Sequence, residues 1–148
     1  MRYLSGEEAA VAKKMMDVAS QIANTSPCAK SQRGVVIAKG TEIFGVGCNA
    51  PPKGWNCDGR CRNICKEYAV HAEKNAMFSA MDKLKGARGY HMKTVNGAGT
   101  PSGTPSCVQC SKDMLAAGLK EFVLLDEKGY CLYEMDEFHE VTLRNLHL

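Results

Sequence analysis

The sequence predicts an α/β fold built on a mixed sheet of five strands. Apolar residues recur at helical spacing in four stretches, and short β-branched runs separate them. The elements follow the order α-β-β-α-β-α-β-β, with helices long enough to serve as parallel crossovers. Only Glu127-Lys128-Gly129 joins the last two runs, so those strands are antiparallel neighbours.

Ser5-Gly6-Glu7-Glu8 reads as a capping box, with Ser5 at the N-cap and Glu8 reaching back. Val11, Met15, Val18 and Ile22 then mark a first helix over about residues 6–24, ended by Asn24-Thr25-Ser26-Pro27. Gly34–Ala38 and Glu42–Cys48 form a hairpin about Lys39-Gly40-Thr41. A turn-rich loop, Asn49–Cys57, follows. The second helix is expected from about Ala69 to Lys85, with Glu73, Met77, Ala80, Met81 and Leu84 on one face. That face turns a carboxylate toward an apolar interior, where its pKa should rise. Tyr90–Val95 is the third strand, and the Gly-, Pro-, Ser- and Thr-rich stretch from Asn96 to Ser106 is a loop of site-wall length. A third helix opens at Cys107 and stops at Gly118, a natural residue just past a helix end. Glu121–Asp126 and Tyr130–Met135 are the last strands. A short helix with Asp136 as cap runs toward Leu148.

The chain has 148 residues, 45% hydrophobic and 24% charged, which suits one domain over 1–148 with its own core. No apolar run reaches the roughly 20 residues a membrane span needs, and the N-terminus lacks a signal-peptide apolar region. The cytosol is therefore the expected compartment, with no membrane partner. A net charge of +3 permits an anionic substrate but falls short of a dedicated nucleic-acid binder. Eight cysteines in a reducing compartment point to metal ligation rather than disulfides.

His71-Ala72-Glu73 and Cys107-Val108-Gln109-Cys110 carry the chemistry. One histidine and two cysteines hold zinc and leave a fourth position open, with Glu73 beside it to move protons. His71 and Cys107 each open a helix, so two positive helix ends face the metal. A thioredoxin-like redox pair or a structural zinc would explain Cys-x-x-Cys but not His71-x-Glu73. The pattern H-x-E…P-C-x-x-C is the signature of zinc deaminases acting on nucleobases. Here it departs once, because Ser106 stands between Pro105 and Cys107.

Three segments resemble the cytidine and deoxycytidylate deaminase family. Gly47-Cys48-Asn49-Ala50-Pro51-Pro52-Lys53-Gly54 is similar to its G-x-N-x-P-x-G segment, His71–Ala76 to its H-A-E-x-N-A, and Ser106–Cys110 to its cysteine motif. The resemblance implies a cytidine deaminase-like three-layer α/β/α fold and hydrolytic deamination of a cytosine nucleotide, foremost dCMP to dUMP plus ammonia. It implies a zinc-activated hydroxide with Glu73 as proton shuttle, and Asn49 on the substrate's sugar. Ala72 and Ser106, flanking the ligands, are expected to touch substrate. The short final turn resembles the free-nucleoside branch instead, so the branch stays open.

Cys57, Cys61 and Cys65 are spaced by four. Phage-type deoxycytidylate deaminases carry a second, structural zinc, one of whose cysteines precedes the first-strand glycine by six, as Cys28 precedes Gly34. The resemblance therefore implies a second zinc on Cys28, Cys57, Cys61 and Cys65, with His91 as an alternative ligand. Free buried cysteines are the other reading; Cys48 and Cys131 are read as core. Lys30, Arg33, Lys53, Arg60 and Arg62 are candidate partners for a phosphate, or an ordinary solvated surface. Trp55 and Tyr68 would serve a single-stranded nucleic-acid substrate, the weaker case. The expected partners are a small nucleotide or nucleoside and further copies of the same chain. A catalytically silent zinc-binding interaction module is the alternative from another class.

Overall fold

The computed structural model describes residues 1–57, 68–102 and 106–146. Its elements are β1 (Arg2–Tyr3), α1 (Gly6–Ala23), β2 (Gln32–Lys39), β3 (Glu42–Cys48), α2 (Ala72–Ala80), β4 (Arg88–Val95), β5 (Ala98–Thr100), α3 (Val108–Ala116), β6 (Glu121–Asp126), β7 (Gly129–Glu134) and α4 (Met135–Arg144). The strands form one mixed sheet in the order β1-β7-β6-β4-β2-β3, with β5 paired to β4. Among the described residues it has seven strands rather than the expected five. The additions are β1, a two-residue edge strand on β7, and β5, which converts part of the expected 96–106 loop into a hairpin on β4.

The period of two along β2 separates the layers. Val36 and Ala38 pack with Met15 and Met16 of α1 on one face. Val35 and Ile37 pack on the other with Ala72 and Ala76 of α2, Met114 of α3 and Phe138 of α4. The result is the three-layer α/β/α sandwich. β4 and β6 are parallel, while β6 and β7 are antiparallel across Glu127–Lys128, as the short turn requires.

Local corrections have local causes. Ser5 is the N-cap of α1, but its side chain makes no cap bond. Glu8 is instead drawn to Arg2 at 3.0 Å and to Arg88 at 3.4 Å, so the capping box does not form. The second helix begins at Ala72, not Ala69, with His71 as its N-cap. At Met81 the backbone takes φ 54°, and the chain continues as a 3-10 turn over Met81–Leu84. That break swings Met81 off the apolar face and leaves it 75% exposed, while Glu73, Ala80 and Leu84 stay buried. The last helix is capped at Glu134 rather than Asp136. Cys131 is buried as expected, but Cys48 is only half-buried.

The position of α2 is set by missing side chains. A Cβ on Gly47 would meet the Ala76 nitrogen at 2.3 Å, and one on Gly45 the Ala80 nitrogen at 2.5 Å. Ala72, Ala76 and Ala80 complete the flush contact. Asn75 Nδ2 donates to the Cys48 carbonyl at 2.8 Å and fixes the height of the helix on β3. Gly47→Ala should therefore force α2 outward and cost about 2–3 kcal/mol, or roughly 5–10 °C in Tm for a chain of this size. An unchanged melting curve would show that α2 does not lie against β3 this closely.

Candidate active site

His71 and Cys107 occupy equivalent places, each an extended N-cap residue whose helix runs away from the site (φ −68°, ψ 155° and φ −71°, ψ 157°). Extended caps turn both side chains back over the first turn of a helix, where unsatisfied N–H groups and the helix dipole favour negative charge. Cys110 lies one turn on, and its backbone N–H donates to Cys107 Sγ at 3.4 Å. His71 Nδ1 stands 3.2 Å from Cys107 Sγ and 3.4 Å from Cys110 Sγ. Each residue offers one ligand atom, and all three atoms lie within 4.8 Å of one another. Lys74 pairs with Asp113, tying α2 to α3 just behind them.

The protonation of this cluster suits a divalent cation. The Cys107 thiol is pulled down to about 4, first by the hydrogen bond from Cys110 and then by His71, while its proximity pushes Cys110 the other way. A cation binding between the two sulfurs displaces the protons they carry. An imidazole nitrogen with two such sulfurs matches the Cys₂His donor set of zinc enzymes. Glu73 is 5% exposed, and burial raises its carboxyl above the usual range, against a lowering contribution from Cys110 and His71.

A cavity of about 300 Å³ opens onto this group, with His71, Ala72, Glu73, Asn49, Ser106 and Cys107 in its wall. Asn49, Ala72 and Ser106 therefore all line the cavity. The Asn49 carboxamide is locked: its Oδ1 accepts from the Arg33 backbone N–H at 2.9 Å, and its Nδ2 donates to the Ser31 carbonyl at 2.7 Å. Ser106 Oγ donates to the Cys107 carbonyl at 3.3 Å. Lys30 and Arg33 border the cavity, but Lys53 does not; Arg60 and Arg62 lie outside the described residues. Trp55 and Tyr68 pack edge to face, centroids 6.4 Å apart.

His91 was offered by the sequence only as a spare ligand for the second cluster. It turns into this cavity, 3.3 Å from Arg33 Nη1 and 3.8 Å from Glu73 Oε1. One signal could have found it. Tyr90 and Met92 pack toward α1, so period two sends the histidine between them to the side of α2. Of the second cluster, Cys28 and Cys57 are half-buried, and Cys61 and Cys65 lie outside the described residues.

Three ligand atoms beside a sequestered carboxylate are what a hydrolytic zinc enzyme asks of its protein. Residues 10–126 match the cytidine and deoxycytidylate deaminase zinc-binding region. The chain belongs to that family. Among curated proteins it is 31% identical over 140 residues to a deoxycytidylate deaminase of Schizosaccharomyces pombe, covering 86% of this chain and 39% of that one. A deoxycytidylate deaminase of Saccharomyces cerevisiae is 28% identical over 140 residues, covering 88% and 40%. The chain thus spans about two fifths of the length of these relatives. Among solved structures, a dCMP deaminase from the cyanophage S-TIM5, in complex with dCMP and dUMP, superposes with TM-score 0.56 at 24% identity over 81% of this chain and 82% of that one. A cytidine deaminase from Burkholderia pseudomallei superposes with TM-score 0.60 at 16% identity over 85% and 94%. At these identities the likeness is one of fold.

Proposed function

We propose that this chain hydrolyses the exocyclic amine of a cytosine mononucleotide, converting dCMP and water to dUMP and ammonia. The observation that carries the proposal is the convergence of His71, Cys107 and Cys110 beside the buried Glu73, at a cavity that His71, Cys107 and Glu73 line. Zinc held by the first three supplies Lewis acidity that brings the pKa of water toward ~7. Glu73 takes a proton from the attacking water, delivers it to ring N3, and then passes a proton to the amine as it leaves. Burial suits Glu73 to this work, since raising its carboxyl above the usual range makes it a better acceptor for the proton of water. The locked Asn49 amide meets the sugar. Ala72 offers its helix-start N–H to the base, and Ser106 borders the ring.

Cys28, Cys57, Cys61 and Cys65 hold a second, structural zinc. Two described contacts support it. Ala50 and Val70 exchange backbone hydrogen bonds of 3.0 and 2.7 Å, closing the loop that carries three of these cysteines. Ser26 Oγ donates to the Asn49 carbonyl at 2.6 Å, holding the segment of Cys28 against the mouth of that loop. Four thiolates make a closed site, which is structural rather than catalytic. The working form is a cytosolic homo-oligomer acting on a small nucleotide.

The antiparallel β6–β7 pair favours a second reading, a free nucleoside as substrate. Ammonia release from cytosine, cytidine, deoxycytidine, their monophosphates, adenosine, guanine and single-stranded DNA separates the readings. Preference for dCMP is the expected result. Preference for deoxycytidine or cytidine would favour the second reading, and activity on nothing in the panel a catalytically silent module.

A further inference from the structure

The cavity wall carries a cation the deamination chemistry does not use. Arg33 lies on β2, half-buried, with its guanidinium on the same cavity as Glu73 and Asn49. Its Nε donates to Ser31 Oγ at 3.2 Å, and its Nη1 to His91 Nε2 at 3.3 Å. A guanidinium has five N–H donors and accepts nothing, so these two contacts leave three donors over. Among the described residues no carboxylate pairs with it.

His91 explains why it stays unpaired. Because arginine only donates, His91 Nε2 must accept, and the neutral ring then carries its proton on Nδ1. Burial first, and the charge of Arg33 second, hold that ring neutral, with its pKa down to about 3. His91 is itself 3% exposed and stands 3.8 Å from Glu73 Oε1. One atom of the ring, Nε2, thus faces both the guanidinium and the Glu73 carboxylate. Arg33 keeps its remaining donors for another group. Lys30, exposed at the same rim, adds a second positive charge.

We infer that Arg33, seated on His91 and Ser31, is the phosphate subsite of this cavity and the residue that makes it prefer a nucleoside 5′-monophosphate to the nucleoside. The inference rests on the deaminase reading above and specifies its substrate end. The layout follows a mononucleotide: the base at Glu73 and His71, the sugar at Asn49, the phosphate at Arg33. The Asn49 side chain and the Arg33 backbone are bonded directly, so sugar and phosphate subsites are neighbours by construction. A cavity of about 300 Å³ suits one nucleotide rather than a strand. His91 acts through its neighbours, as a positioning residue.

The test compares zinc-loaded wild type with Arg33→Gln and Arg33→Lys. Deamination of dCMP and of deoxycytidine is measured for each, and so is calorimetric binding of dUMP, deoxyuridine and inorganic phosphate. Wild type should favour dCMP. In Arg33→Gln the dCMP-to-deoxycytidine ratio of kcat/KM should fall on the order of a hundredfold, mainly through KM, as expected for losing charge-assisted hydrogen bonds to a phosphate. Arg33→Lys, which keeps the charge and loses the fork, should fall between. An unchanged ratio in both variants, or an equal loss on both substrates through kcat, would overturn the inference. If wild type turns over neither substrate, the deaminase reading fails separately, and binding still decides the subsite. Loss of dUMP affinity relative to deoxyuridine on substituting Arg33 supports it, and no such loss refutes it. Arg33→Lys also guards against misfolding of the glutamine variant, with melting curves for both.

Discussion

Glu73→Ala is expected to leave zinc in place and to stop deamination. Loss of a positioned acid–base group alone removes ~10²–10⁴ in rate, and loss of the orientation it gives water and ring adds to that. Zinc should stay because the ligand atoms come from His71, Cys107 and Cys110 and Glu73 is not among them. His71 and Cys107 are set by helix N-caps, and Cys110 by its bond to Cys107. Glu73→Gln refines the experiment, keeping the shape and losing only the ability to carry a proton. Metal content by plasma spectrometry and kcat on dCMP are the measurements. Turnover within tenfold of wild type in either variant would defeat the role assigned to Glu73.

Cys61→Ser should take the protein from two zinc atoms per chain to one. Losing a structural metal belongs to the few single changes that cost more than ~4–5 kcal/mol, so Tm should fall by roughly 10 °C or more. Deamination should fall only partly, because the catalytic ligands are untouched. The loss acts through the loop closed by Ala50 and Val70, since Val70 leads directly into His71. A single zinc in fully loaded wild-type protein would sink the second site. One zinc in Cys61→Ser with an unchanged melting curve would remove its structural role.

How much of the molecule could be read from residues alone depended on range. The candidate ligands and proton carrier are set by local spacing: His71 and Glu73 as a cap residue and its i+2 neighbour on α2, Cys107 and Cys110 as a cap residue and its i+3 neighbour on α3. Such spacing needs only the geometry of one helical turn. The β6–β7 hairpin was legible for the same reason, since a turn of two or three residues allows a single strand direction. The misses came where a distant partner outbid a local preference. Glu8 left its capping role for Arg2 and for Arg88, eighty positions away. Two residues at the very start became an edge strand only because β7 offered a free edge. Met81 left its helical face because the chain breaks at a positive φ that no periodicity announces.

By itself, then, the sequence determined the α/β order of elements, the four residues proposed for the zinc and proton chemistry, and the family to which the chain belongs. Each depends on neighbours within a turn of helix or a hairpin. The tertiary structure decided what meets across layers. It set α2 flush on β3 through Gly45 and Gly47, turned His91 toward Arg33 and Glu73, and buried Glu73 where its carboxyl is raised above the usual range. Those contacts join residues up to 58 positions apart, and only the packed sheet brings them within hydrogen-bond reach.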